Sequence, residues 1–100
     1  MIRGTTPKHI FKTALPAENI KNWLIVYAQD KQVILKKRKD DCELSESTIT
    51  VRLTQEDTLK FECGKSVQIQ IKVLTTSGDV FASFVDLKHI YTCLDDEVLE

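Results

Sequence analysis

Val67-Gln68-Ile69-Gln70-Ile71-Lys72-Val73 alternates apolar and polar residues without a break, the period-2 pattern of a strand with one face on a core and one in water. Ile49-Thr50-Val51-Arg52-Leu53 repeats the pattern, so the odd-numbered residues of both runs are expected to point inward together. Between the runs, Thr54-Gln55-Glu56-Asp57 has the Ser/Thr-x-x-acid spacing of a helix start, and Leu59 and Phe61 follow. One helical turn is therefore expected to cross from strand to strand and to plug the edge of the core with those two side chains.

Upstream, Trp23-Leu24-Ile25-Val26-Tyr27-Ala28 and Gln32-Val33-Ile34-Leu35-Lys36 flank the polar Gln29-Asp30-Lys31, which predicts a hairpin. Downstream, Thr75-Thr76-Ser77-Gly78-Asp79 leads to Val80-Phe81-Ala82-Ser83-Phe84-Val85, a second hairpin in which Gly78 supplies a positive φ. Pro7 and Pro16 bracket a first strand, Lys8 to Leu15, and confine it to a sheet edge. The run from Val80 to Thr92 is too long for one flat strand. Its alternation slips near Asp86, where a bulge or break is expected, and whether it forms one strand or two is open. Leu94-Asp95-Asp96-Glu97-Val98-Leu99-Glu100 is acidic with spaced apolar residues and is expected to fray or dock on a neighbour. Six or seven short strands with frequent turn signals, one helical turn, and no linker or repeat give an all-β, immunoglobulin-like antiparallel sandwich, one domain over residues 1–100.

At 100 residues, 42% hydrophobic and 29% charged, the chain can build one core without staples. Its longest apolar run, Trp23 to Ala28, is far short of the roughly 20 residues of a membrane-spanning helix. The opening residues lack the apolar stretch of about 7 to 15 residues that marks a secretory signal, so a cytoplasmic setting is expected. Cys42, Cys63 and Cys93 are odd in number and widely spaced, which points to free thiols in a reducing compartment. Only His9 and His89 could join them around a metal, and none is close enough in sequence to suggest a site. Net charge is −1, yet the basic residues crowd into the first two fifths of the chain and the acidic ones into the rest, switching sign within Lys36-Lys37-Arg38-Lys39-Asp40-Asp41. This leaves two outcomes: mixed surface pairs, or a molecule with unlike poles that stacks head to tail.

Leu53-Thr54-Gln55-Glu56-Asp57-Thr58-Leu59-Lys60-Phe61-Glu62-Cys63 resembles the corner of immunoglobulin domains, Leu-x-x-Glu-Asp-x-Ala-x-Tyr-x-Cys. Phe61 lacks the tyrosine hydroxyl, and no cysteine precedes Trp23 to complete an inter-sheet bridge. The opening Met1-Ile2-Arg3-Gly4-Thr5-Thr6-Pro7, the Val26-Tyr27-Ala28-Gln29 hairpin, Leu53-Thr54-Gln55-Glu56 and Cys93-Leu94-Asp95-Asp96-Glu97-Val98, together with the length, resemble a group of small proteins encoded in prophages of Gram-positive gut bacteria. Members of that group lie among virion structural genes, so the resemblance implies particle assembly. Val80 to Thr92 departs most from the group's pattern.

Chemistry is sparse. No Gly-x-Ser-x-Gly or comparable nucleophile signature occurs, the carboxylate pairs Asp40-Asp41 and Asp95-Asp96 read as solvated turns, and Gly4, Gly64 and Gly78 are too few for a phosphate loop. No catalytic residue, cofactor or metal is expected. Lys36, Lys37, Arg38 and Lys39 form a candidate basic patch, which makes a small nucleic-acid-binding β-barrel the alternative. A pI of about 6.1 disfavours it, and the cluster equally suits a charged edge strand. Carbohydrate binding would need exposed aromatics, and most of the seven alternate into expected core positions. The expectation is a non-enzymatic phage structural or accessory protein of the tail or baseplate. It would be made in the host cytoplasm and carried into the virion, contacting virion proteins or itself through Ile10 and Phe11 on the first strand, or Leu94 and Val98 in the acidic segment.

Overall fold

The computed structural model describes residues 1–83 and 85–100; Phe84, expected in the strand from Val80 to Val85, lies outside the described residues. The molecule is assembled on the alternating strand Ser66–Thr75, whose Val67, Ile69, Ile71 and Val73 are at most 6% exposed. One side of it pairs antiparallel with Ile20–Gln29, which sets Ile25 opposite Ile71 and Tyr27 opposite Ile69. The latter strand turns into Gln32–Arg38 through Asp30 and Lys31 at φ 50° and 64°, a two-residue left-handed turn that matches the twist of the strands. The other side pairs in succession with Val80–Ala82 and Asp86–His89. Gly78, at φ 93°, makes the preceding turn.

In chain order the strands among the described residues are β1 (Lys8–Lys12), β2 (Ile20–Gln29), β3 (Gln32–Arg38), β4 (Cys42–Ser45), β5 (Thr48–Arg52), β6 (Ser66–Thr75), β7 (Val80–Ala82) and β8 (Asp86–His89). One sheet has the order β1-β5-β4; the other has β3-β2-β6-β7, with β8 also on β6. The five-residue helix α1 (Gln55–Leu59) carries the chain from β5 in the first sheet to β6 in the second. Thr54 and Asp57 cap it reciprocally, the Asp57 amide donating to Thr54 Oγ1 at 3.0 Å and the Thr54 amide to Asp57 Oδ2 at 2.9 Å. Phe61 is buried behind this turn, while Leu59 is only half-buried.

This connectivity is that of an immunoglobulin-like sandwich. β1, β5 and β4 take the places of strands B, E and D, β2 and β6 those of C and F, and β7 with β8 that of G. β3 is the added strand beside C that marks variable-type domains, and a buried tryptophan, Trp23, sits on strand C. Residues 1–3 run parallel to the end of β8, where Ile2 bridges Tyr91. Gly4, at φ 80°, then turns the chain across to β1.

The inward residues of the two alternating runs meet face to face as expected: Ile49, Val51 and Leu53 are at most 1% exposed. Each such side chain contributes roughly 1.5–3 kcal/mol of burial, so a one-residue slip that exchanged Val67, Ile69 and Ile71 for Gln68, Gln70 and Lys72 is strongly opposed. The strand count exceeds the expected six or seven for two reasons. β4 is four residues with a short, half-polar pattern that no periodicity reveals, and the run after Val80 divides into β7 and β8. One helical turn was expected; two short 3-10 turns, Ala17–Asn19 and Lys39–Asp41, accompany α1. The first strand stops at Lys12, short of the expected Leu15, because the Thr13 hydroxyl donates to the carbonyls of Leu15 and Ser47 at 3.0 Å and folds the chain away from the ladder. No helix among the described residues is long and apolar enough to cross a membrane.

Candidate functional site

β1 lies at the end of the smaller sheet and β7 and β8 at the end of the larger one. Each therefore has a backbone edge without a strand partner among the described residues, apart from the short parallel contact of Ile2 with Tyr91. The two edges flank one groove. Residues directly opposite one another in an antiparallel ladder point to the same side, so His9 and Phe11, opposite Val51 and Ile49, face the other sheet. Asp86, Lys88 and Phe81, opposite Ile69, Val67 and Val73, face back toward them. One part of the groove, about 420 Å³, lies among His9, Phe11, Ile69, Asp86 and Lys88. A second part, about 320 Å³, continues along Leu15, Ile71, Val73 and Phe81. In an immunoglobulin sandwich strand A lies along this side, beside strand B. We call it the seam.

The break between β7 and β8 is built by Ser83, close to the slip expected near Asp86. Its amide donates to the Ile71 carbonyl at 2.9 Å, but its hydroxyl, in place of a main-chain carbonyl, accepts from the Ile71 amide at 3.1 Å. The ladder ends there and resumes at Asp86. The result is an edge rich in uncovered apolar side chains: Val80, Phe81, Val85 and Leu87 are each more than half exposed, and so is Ile10 on β1. Phe81 points to the core side and is still 56% exposed, because β1 does not reach over it.

His9 closes the inner end of the seam. Its Nδ1 lies 2.6 Å from the Tyr27 hydroxyl, and the rings pack at 5.6 Å. Burial lowers the His9 pKa, Lys88 and the N-terminal ammonium lower it further, and Asp86 opposes them. Burial also raises the Tyr27 pKa far above its ordinary value. Both groups are neutral at pH 7, and the phenol O–H can donate to Nδ1. This pair holds the imidazole in place. Among the described residues, no group of three or more His, Cys, Asp or Glu side chains comes together. The three thiols are free and half-buried, and burial raises the Cys42 pKa, which keeps that thiol protonated.

The candidate residues named from sequence divide between two regions. Ile10 is exposed on the outer side of β1, as a contact residue should be. Phe11 is half-buried and packs on the core, so it is a wall of the seam and not a free knob. Leu94 is fully exposed, while Val98 is half-buried. Their segment is folded back on α1: the Gln55 amide group pairs both ways with the Leu99 backbone at 2.8 Å, and the Arg3 guanidinium holds Asp96 while donating to the Phe61 and Leu59 carbonyls at 2.9 Å. The acidic segment and β1 are thus not brought together within one chain.

The basic cluster does not form one patch. Lys36 and Arg38 point outward from the edge strand β3, opposite Val26 and Leu24. Lys37 points inward and pairs with Asp57 at 2.7 Å with both side chains largely covered. Lys39 donates to the Lys21 carbonyl at 3.2 Å. Sequence reasoning missed the β7–β8 side of the seam because its apolar residues fit no clean alternation; the slip near Asp86 was the available sign. The His9–Tyr27 contact joins residues 18 positions apart in different sheets, and no local pattern announces it.

No family model matches the chain, and no curated protein is similar to it in sequence. Among solved structures it is similar to the V domain of amphioxus IgVJ-C2, at 9% identity over 91% of this chain and 95% of that chain, with a TM-score of 0.39. At that score the likeness adds nothing to the fold assignment, which stands on the strand pairings.

Proposed function

We propose that this chain is a non-enzymatic structural or accessory protein of a phage or prophage particle, at the tail or its baseplate, that docks to a neighbouring protein along the seam. The observation that carries this reading is the pairing of two free strand edges with five apolar side chains, Ile10, Val80, Phe81, Val85 and Leu87, each more than half exposed. A free edge offers backbone hydrogen bonds to an added strand, and the apolar residues beside it supply the burial that makes such addition favourable. The phage setting is supported by the resemblance of Met1–Pro7, Val26–Gln29, Leu53–Glu56 and Cys93–Val98 to the prophage group. On this reading the chain is made in the host cytoplasm and enters the particle with its partner. The inward turn of Lys37 onto Asp57 works against the basic-patch alternative.

The test is complementation of a lysogen lacking the gene with the chain carrying Leu87→Lys, a charge placed on the free edge. The expected result is tailless or incomplete particles by electron microscopy, from a variant that melts like the parent. Full particle yield would sink the reading. Binding of the purified chain to DNA that weakens steeply with salt would instead support the nucleic-acid alternative.

A further inference from the structure

We infer that the seam takes the acidic segment Leu94–Glu100 of a second copy of this chain, added as a strand along the free edge of β1. This deepens the docking reading above and rests on it. The charge on the two surfaces is complementary. Lys8, Lys12 and Lys88 rim the groove, and the one carboxylate among its lining residues, Asp86, already lies 3.7 Å from Lys88. Asp95, Asp96, Glu97 and Glu100 put four carboxylates and no cation into seven residues.

The apolar content is complementary too. Leu94 is fully exposed and Leu99 is 74% exposed, so their own chain leaves them uncovered, as it does Phe81 within the seam and Ile10 on the outer side of the β1 edge. An extended segment of seven residues spans about 23 Å, enough to run the length of the five-residue β1 at about 17 Å. The segment is held to its own chain by the Gln55 amide and by the ion pair of Asp96 with Arg3. These contacts lie at the exposed α1 end and exchange readily for others. Because the donor segment and the receiving groove are different surfaces, the association is head to tail and extends into a row.

The experiment titrates a synthetic peptide of residues 94–100 into the isotope-labelled chain, followed by NMR, alongside sedimentation velocity of the chain and its variants. The expected result is shifts confined to Lys8–Lys12, Phe81 and Asp86–His89, with Lys88→Glu weakening the peptide about tenfold. The chain lacking residues 94–100 should sediment as a monomer at concentrations where the parent associates. Gln55→Ala, which frees the segment, should associate at lower concentration than the parent. No shifts at about 1 mM peptide, shifts at another face, or unchanged association of the shortened chain would overturn the inference. If the peptide fails while Leu87→Lys still blocks particle assembly, the seam remains a docking surface and only the second copy is lost as its occupant. If both fail, both readings fall.

Discussion

Ile10 and Phe11 are neighbours on β1 with opposite environments, and the pleat decides which is which. Ile10 shares its face with Thr50 and water; Phe11 shares its face with Ile49 and the core. Ile10→Lys should therefore change unfolding free energy by no more than about 0.5 kcal/mol, whereas Phe11→Lys should destabilise by about 2–4 kcal/mol; urea melts of the two variants check both. Ile69, 3% exposed under the seam floor, should cost on the order of 2–5 kcal/mol when cut to alanine. His9 adds a pH signature. Its folded pKa is below the ordinary value near 6.5, so the unfolded chain takes up the proton first as pH falls. Stability is full above that value and declines as pH drops through it toward the lower folded pKa. His9→Gln should flatten this part of the stability curve, measured by denaturant melts across that range.

At the scale of elements, α1 shows how a four-residue pattern fixes a junction between sheets. The Thr54 and Asp57 side chains satisfy two amides that a helix start leaves open, and Thr54→Ala should cost about 1 kcal/mol. Asp57 also receives Lys37 from β3, so one carboxylate ties the helical turn to the edge of the larger sheet. Burial alone would raise its pKa, but hydrogen bonds from Lys37 and Thr54 outweigh it and hold the pKa below the ordinary carboxylate value. Its contribution is thus complete above that ordinary value and is lost as pH falls through the lower folded one. Lys37→Met strands the carboxylate and should cost on the order of 1–3 kcal/mol at neutral pH, while making acid unfolding less steep. The capping box, the β2–β3 hairpin and the alternation of β5 and β6 were all legible in the sequence, because each is specified by residues close together in the chain. The inward turn of Lys37 was not: within four consecutive cations, only the pairing register of β3 on β2 decides which one faces the core.

At the scale of the whole molecule, the basic first part of the chain and the acidic remainder interleave. Lys37 with Asp57 and Arg3 with Asp96 join the basic part to the acidic one across the fold, so part of the sequence dipole dissolves into mixed pairs. What survives is local: Lys8 and Lys12 enter no ion pair among the described residues, and the acidic segment projects Leu94 at the α1 end. The sandwich class could be read from alternation and turn spacing, but the seam could not. It arises from where two sheets end, a property of the strand order and not of any stretch of residues. Amide hydrogen exchange of the dilute, purified chain, resolved by residue, examines this opening itself. With the seam open, β2 and β6 amides exchange only through global unfolding, while every second amide of β1 and the outer-edge amides of β7 and β8 exchange orders of magnitude faster. Equal, deep protection of β1, β7, β8 and β6 would mean that the edges are already covered, and the docking seam would have to be abandoned.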